Sequence, residues 1–130
     1  MNVLLFEDLF LSICLHLTTK QIIRLELLSK DHSILIRKTV WDHDYFIIDC
    51  PSLFKKIKKY PFKKIYICTG FDINKKINYL INCHTLDLSF TNITEENIKL
   101  LNCKVLYLHE TEVTDECIQD LRLKGCIVYN

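Results

Sequence analysis

The sequence predicts an α/β chain in two parts. A short N-terminal helical unit covers residues 1–42. A solenoid covers 43–130, with one parallel sheet on its concave side and helices on its convex side. Three observations predict this. The pattern Cys83-x-x-Leu86-x-Leu88-x-x-Thr91-x-Ile93 returns twenty residues later as Cys103-x-x-Leu106-x-Leu108-x-x-Thr111-x-Val113. A stretch with helical spacing follows each copy. The first forty residues show helical spacing and no strand alternation.

The N-terminal stretch reads as two or three short helices. Leu5, Leu9, Ile13 and Leu17 recur at i, i+4 and form one apolar stripe. Thr18 and Thr19 break it and can cap a second helix carrying Ile22, Ile23, Leu25, Leu27 and Leu28. Ser29 to Asp31 starts a third helix, with Ile34, Leu35 and Ile36, ending at Trp41. Helices this short cannot bury all these residues among themselves. Part of the stripe must face the rest of the chain or another protein.

The second part is built from about four short repeats and a terminal strand. A looser copy begins at Phe62 with Ile65 and Ile67, and a weaker one holds Phe46 and Ile48. A last start is read at Leu123-x-x-Cys126-x-Val128. The paired residues of each Leu-x-Leu point into the stack, and those between point out. Each unit buries its apolar face only against its neighbours, so several must stack. Thr91 and Thr111 can bond the backbone of the turn. Thr94 and Thr114 are placed as helix N-caps, with Glu95, Glu96, Asp115 and Glu116 in the first turn. Ile98 and Leu101, then Ile118 and Leu121, share an inner face at i, i+3.

Composition narrows the function classes. The apolar share of 49% suffices for a core, and a net charge of +1 argues against whole-chain binding to nucleic acid. With no run of membrane-spanning length and no signal-peptide layout, the expectation is an intracellular chain, cytoplasmic or nuclear, without membrane contact. The seven cysteines are odd in number and contain no C-x-x-C pair, so reduced thiols in the core are expected rather than a disulfide framework. Cys83, His84, Cys103 and His109 lack zinc-finger spacing, and no metal or cofactor is expected. His43, between Asp42 and Asp44, has no nucleophile nearby in sequence. No phosphate loop, nucleophile elbow or paired-carboxylate signature is present, so no catalytic residue is expected. Asn92-Ile93-Thr94 has the form of a glycosylation sequon, read here as part of a repeat turn. The lysine cluster from Lys55 to Lys64 is read as a solvated helix face.

The repeats resemble the cysteine-containing class of leucine-rich repeats, through "LDLSFTNIT" and "LYLHETEVT". That class commonly follows an F-box, and residues 4–41 resemble one. Leu5, Asp8, Leu9, Ile13 and Leu17 match the first part of the F-box pattern. Ile22, Ile23, Leu28, Ser29 and Lys30 match the second. Phe6 stands where the family has proline, Gln21 where it has aspartate, and His32 where it has an aromatic residue.

The resemblance implies the substrate-recognition subunit of an SCF-type (Skp–cullin–F-box) ubiquitin ligase, and not an enzyme in itself. It implies that Leu5, Phe6, Leu9, Ile13, Ile22, Leu28, Ser29 and Lys30 contact a Skp-type adaptor of a cullin-RING ligase. The repeats would hold an unknown protein target. From the Leu-x-Leu register the outward residues are Tyr66, Cys68, Asp87, Ser89, Tyr107, His109, Ile127 and Tyr129. Of these, Tyr66, Asp87, Ser89, Tyr107, His109 and Tyr129 are the candidate target contacts. The alternative is a repeat protein that binds a partner without recruiting a ligase, its N-terminal helices serving only as a cap.

Overall fold

The computed structural model describes the backbone of residues 3–25, 27–38 and 45–130, and the side chains of 8–25, 27–36 and 45–130. The expectations for the side chains of Leu5 and Phe6, for Trp41 and for residues 42–44 lie outside these.

Three helices come first: α1 (Val3–Cys14), α2 (Thr19–Leu25) and α3 (Lys30–Lys38). Thr18 separates α1 from α2 by a reciprocal cap. Its hydroxyl accepts the Gln21 N–H at 3.3 Å, and its own N–H donates to Gln21 Oε1 at 2.9 Å. Ser29 starts α3 similarly, its hydroxyl accepting the His32 N–H at 3.2 Å. Phe10, Cys14, Ile22 and Ile36 are buried, and they belong to the same apolar cluster as the strands below. Thr19 donates its hydroxyl to the Tyr45 carbonyl, and Lys20 pairs with Asp49 at 3.3 Å. These two contacts tie α2 to the start of the sheet.

The sheet has five parallel strands in chain order: β1 (Phe46–Ile48), β2 (Lys64–Ile67), β3 (Thr85–Asp87), β4 (Val105–Tyr107) and β5 (Ile127–Tyr129). Ile65, Ile67, Leu86, Leu88, Leu106 and Leu108 are all buried, as the repeat spacing predicts, and Phe46, Ile48 and Val128 extend the set. Phe62 takes the place held by cysteine in the later repeats and stacks on Phe46, ring centroids 4.0 Å apart.

The connections supply the other side of the core. A 3-10 turn (Pro51–Leu53) runs into α4 (Phe54–Lys59); a 3-10 helix covers Ile73–Tyr79; then come α5 (Glu95–Ile98) and α6 (Asp115–Leu123). Their buried residues, Phe54, Ile73, Ile77, Ile98, Ile118 and Leu121, join the inward strand residues in the cluster. The outward strand residues Ile47, Ile127 and Tyr129 are exposed. The connections therefore cover one face of the sheet.

The turns after β3 and β4 are built alike. The Thr91 hydroxyl donates to the Leu88 carbonyl at 2.6 Å, and Thr111 donates to Leu108 at 2.8 Å. These bonds satisfy carbonyls that the ladder leaves behind.

Three expectations need correction. Leu123 is not an inward anchor: it is exposed at the end of α6. The last strand pairs Leu106 with Val128, a register two residues later than the repeat spacing predicts, because α6 runs longer than α5. A shift of two keeps the same face inward. Thr94 sits at the N-cap of α5 but its hydroxyl makes no cap bond there. It donates instead to Asn74 Oδ1, in the 3-10 helix of the preceding connection, at 3.2 Å. Thr114 does cap α6, accepting the Cys117 N–H at 3.3 Å.

Candidate protein-interaction site

Parallel sheets are usually covered on both faces. This one carries connections on one face and leaves a row of large side chains on the other. The strand register aligns Ile47, Tyr66, Asp87, Tyr107 and Tyr129, one from each strand. Tyr66, Asp87 and Tyr107 are half-buried and Tyr129 is exposed. Tyr107 and Tyr129 stack with centroids 4.8 Å apart and planes 15° from parallel. His109 is exposed beside them, its ring centroid 6.4 Å from that of Tyr107.

Tyr45, just before β1, reaches over this face. Its side chain lies near those of Tyr107 and Asp87. Burial pushes the Tyr45 hydroxyl up in pKa, and Tyr107 and the Asp87 carboxylate add to the push. Lys64 Nζ lies 5.8 Å from the Tyr45 ring centroid. Asp87 Oδ1 accepts the Ser89 N–H at 3.0 Å, and Asp87 forms no ion pair among the described residues.

Ser89 is a correction. It was expected to point to a target, but it is 4% exposed and its hydroxyl accepts the His109 N–H at 3.2 Å. Beyond the last ladder pair the chain turns inward, and the serine satisfies a backbone donor of the next repeat. The structure therefore brings together Tyr66, Asp87, Tyr107 and Tyr129 in one row, with His109 at its side. It adds Tyr45, which no repeat pattern contains.

A second surface lies on the N-terminal helices. Leu9 is 59% exposed and Ile13 49%, whereas Phe10 and Cys14 on the adjacent face are buried. Leu28, 66% exposed, and Lys30 are also open to solvent. Ile22 is a second correction: it is fully buried under α3, where a residue at the middle of a short helix closes the core. Ser29 is engaged with its own helix as a cap. Leu11, on the other side of α1, and Leu15, just after its end, are exposed. Their i, i+4 spacing is the sequence signal for this second exposed strip.

The thiols fall inside. Burial pushes Cys83 up to about 11 and Cys103 up to about 12, with Cys126, its sulfur 4.0 Å from that of Cys103, adding to the latter shift. Metal ligation needs the thiolate, which such burial opposes. No group of three or more metal-ligating side chains forms among the described residues. In the lysine cluster, Lys58 and Lys59 lie over the rings of Tyr79 and Tyr60, at 4.9 and 5.4 Å. No helix among the described residues is long and apolar enough to cross a membrane.

No family model, no curated protein and no solved structure matches this chain.

Proposed function

We propose that the chain is the substrate-recognition subunit of an SCF-type ubiquitin ligase. In this reading residues 1–42 form an F-box that docks on a Skp-type adaptor, and 43–130 form a leucine-rich-repeat solenoid that holds a target protein. The mechanism is proximity. The chain raises the effective concentration of the target near the ubiquitin-charged enzyme and performs no chemistry itself.

The observation that carries the reading is the outward turn of Leu9 and Ile13. Phe10, Cys14, Ile22 and Ile36 close the interior of the helical unit without them. Water-exposed leucine and isoleucine on one helix face, with Leu28 exposed between α2 and α3, are the kind of apolar side chains that a partner covers. The parallel sheet with one open, tyrosine-rich face supports the second half, since tyrosine is enriched at binding hot spots.

One observation favours the rival reading, a scaffold that recruits no ligase. Ile22 and Ser29, expected at the adaptor face, are both used internally. Isothermal titration of the purified chain into a Skp-type adaptor separates the two. A saturable one-to-one complex is expected, and absence of binding with the chain folded would favour the scaffold.

A further inference from the structure

We infer that the open sheet face recognises a cationic side chain, arginine or lysine, on an extended segment of its target, seated on Asp87 between Tyr66 and Tyr107. The inference rests on the target-binding half of the proposed function and names the chemistry of that target.

Register places Tyr66 and Tyr107 as the direct strand neighbours of Asp87 on either side. Adjacent strands are about 4.8 Å apart, so the two rings flank the carboxylate at a span that fits one planar or tetrahedral head group. Tyr45, close to both Tyr107 and Asp87, adds a third ring to the cluster. Ring faces and a carboxylate attract the same charge, because the aromatic quadrupole is negative at the face. Among the described residues one carboxylate oxygen is used internally, by the Ser89 N–H, and no ion pair to Asp87 forms.

The chain already seats one ammonium at the edge of this cluster, Lys64 on the Tyr45 ring. The wider charge is divided across the sheet. Residues 45–82, which carry Tyr66 and Lys64, hold eight lysines and two acids, a balance of +6, whereas 83–130 hold eight acids and four Lys or Arg, a balance of −4, so a basic segment is favoured on the β3 to β5 side of Asp87.

The test uses the whole chain and three acetylated, amidated pentapeptides: Gly-Ser-Arg-Ser-Gly, the same with citrulline for arginine, and the same with glutamate. Tyrosine ring proton shifts are followed by NMR at millimolar peptide. The arginine peptide is expected to shift the rings of Tyr66 and Tyr107 saturably and to bind at least tenfold more tightly than the citrulline peptide. Asp87→Asn keeps an oxygen for the Ser89 N–H and is expected to abolish that preference. Tyr66→Leu is expected to weaken arginine binding at least threefold. Glu112→Gln, which removes an equal charge from a distant turn, is expected to change affinity less than twofold.

Equal shifts from arginine and citrulline peptides, preference for glutamate, no shift from any peptide, or an Asp87→Asn variant that retains the preference would each overturn the inference. Adaptor binding by the chain is read separately. Its loss would strike the ligase reading, and its persistence alongside failed peptide binding would strike only the cation site.

Discussion

Phe90 and Glu110, twenty residues apart in sequence, both hold left-handed backbone, with φ of 60° and 51°. Gly70, at φ 111°, lies in the turn after β2, one residue beyond the place that the strand register aligns with Phe90. The turns after β2, β3 and β4 thus each bend through one residue of positive φ. Such backbone costs a side-chain-bearing residue about 1–2 kcal/mol. Glycine avoids that strain but loses about 0.5–1 kcal/mol to chain entropy. Glu110→Gly is therefore expected to stabilise the fold by about 0.5 kcal/mol. Gly70→Ala is expected to destabilise it by about 1 kcal/mol, although an added Cβ meets nothing within 4 Å. Urea unfolding measures both, and a harmless Gly70→Ala would contradict the backbone argument.

Glu95 and Thr114 give a pH dependence. The Thr114 hydroxyl and N–H both donate to Glu95 Oε1, and they hold the glutamate below its ordinary range. A carboxylate depressed in the folded state contributes stability above its unfolded pKa of about 4.3 and loses it as pH falls through the folded value. Glu95→Gln should therefore flatten the stability profile below that pH and leave the shape from neutral pH upward unchanged. Thermal melts across pH 3 to 7 show whether it does.

Burial separates the cysteines by reactivity. Cys83 and Cys103 are buried with raised pKa, whereas Cys50 and Cys68 are partly exposed. Iodoacetamide at pH 7.5 should label Cys50 and Cys68 in the native chain and reach Cys83 and Cys103 only on unfolding. Peptide mapping by mass spectrometry reads the order, and early labelling of Cys103 would mean that the repeat core opens locally.

The last strand carries an edge guard. Arg122 Nη2 donates to the Val128 carbonyl at 2.8 Å, filling a backbone acceptor at the side of β5 away from β4. Open strand edges template further pairing. Arg122→Ala should make the chain associate with rising concentration, visible by sedimentation velocity. A variant that stays as dispersed as the parent would assign the arginine no such role.

Much of the repeat architecture was legible because its signal is local and periodic. The Leu-x-Leu spacing gave the inward set, and Tyr66, Asp87 and Tyr107 followed as neighbours from alternation alone. The strand bearing Val128 was misregistered because the length of α6 depends on where its C-terminal turn closes. Gly125, at φ 93°, sets that point and not the apolar spacing. Ser89 and Thr94 were misplaced for one reason: hydroxyls in turns choose partners from the adjacent repeat, here the His109 N–H and Asn74 Oδ1, which no single-repeat pattern shows. Ile22 and Leu9 look alike in sequence, and only the packing of three helices decides which is buried. Tyr45 escaped notice because its partner, Tyr107, lies sixty-two residues away.

The central claim is that the exposed side of α1 docks on a Skp-type adaptor independently of the repeats. The most direct measurement is the adaptor affinity of a Leu9→Ala/Ile13→Ala chain, beside its thermal melt. Truncating an interface anchor commonly costs about 2 kcal/mol or more, roughly thirtyfold in Kd. The account predicts at least that loss with the melt unchanged, because both side chains already face solvent. Undiminished affinity in the folded double variant would contradict it.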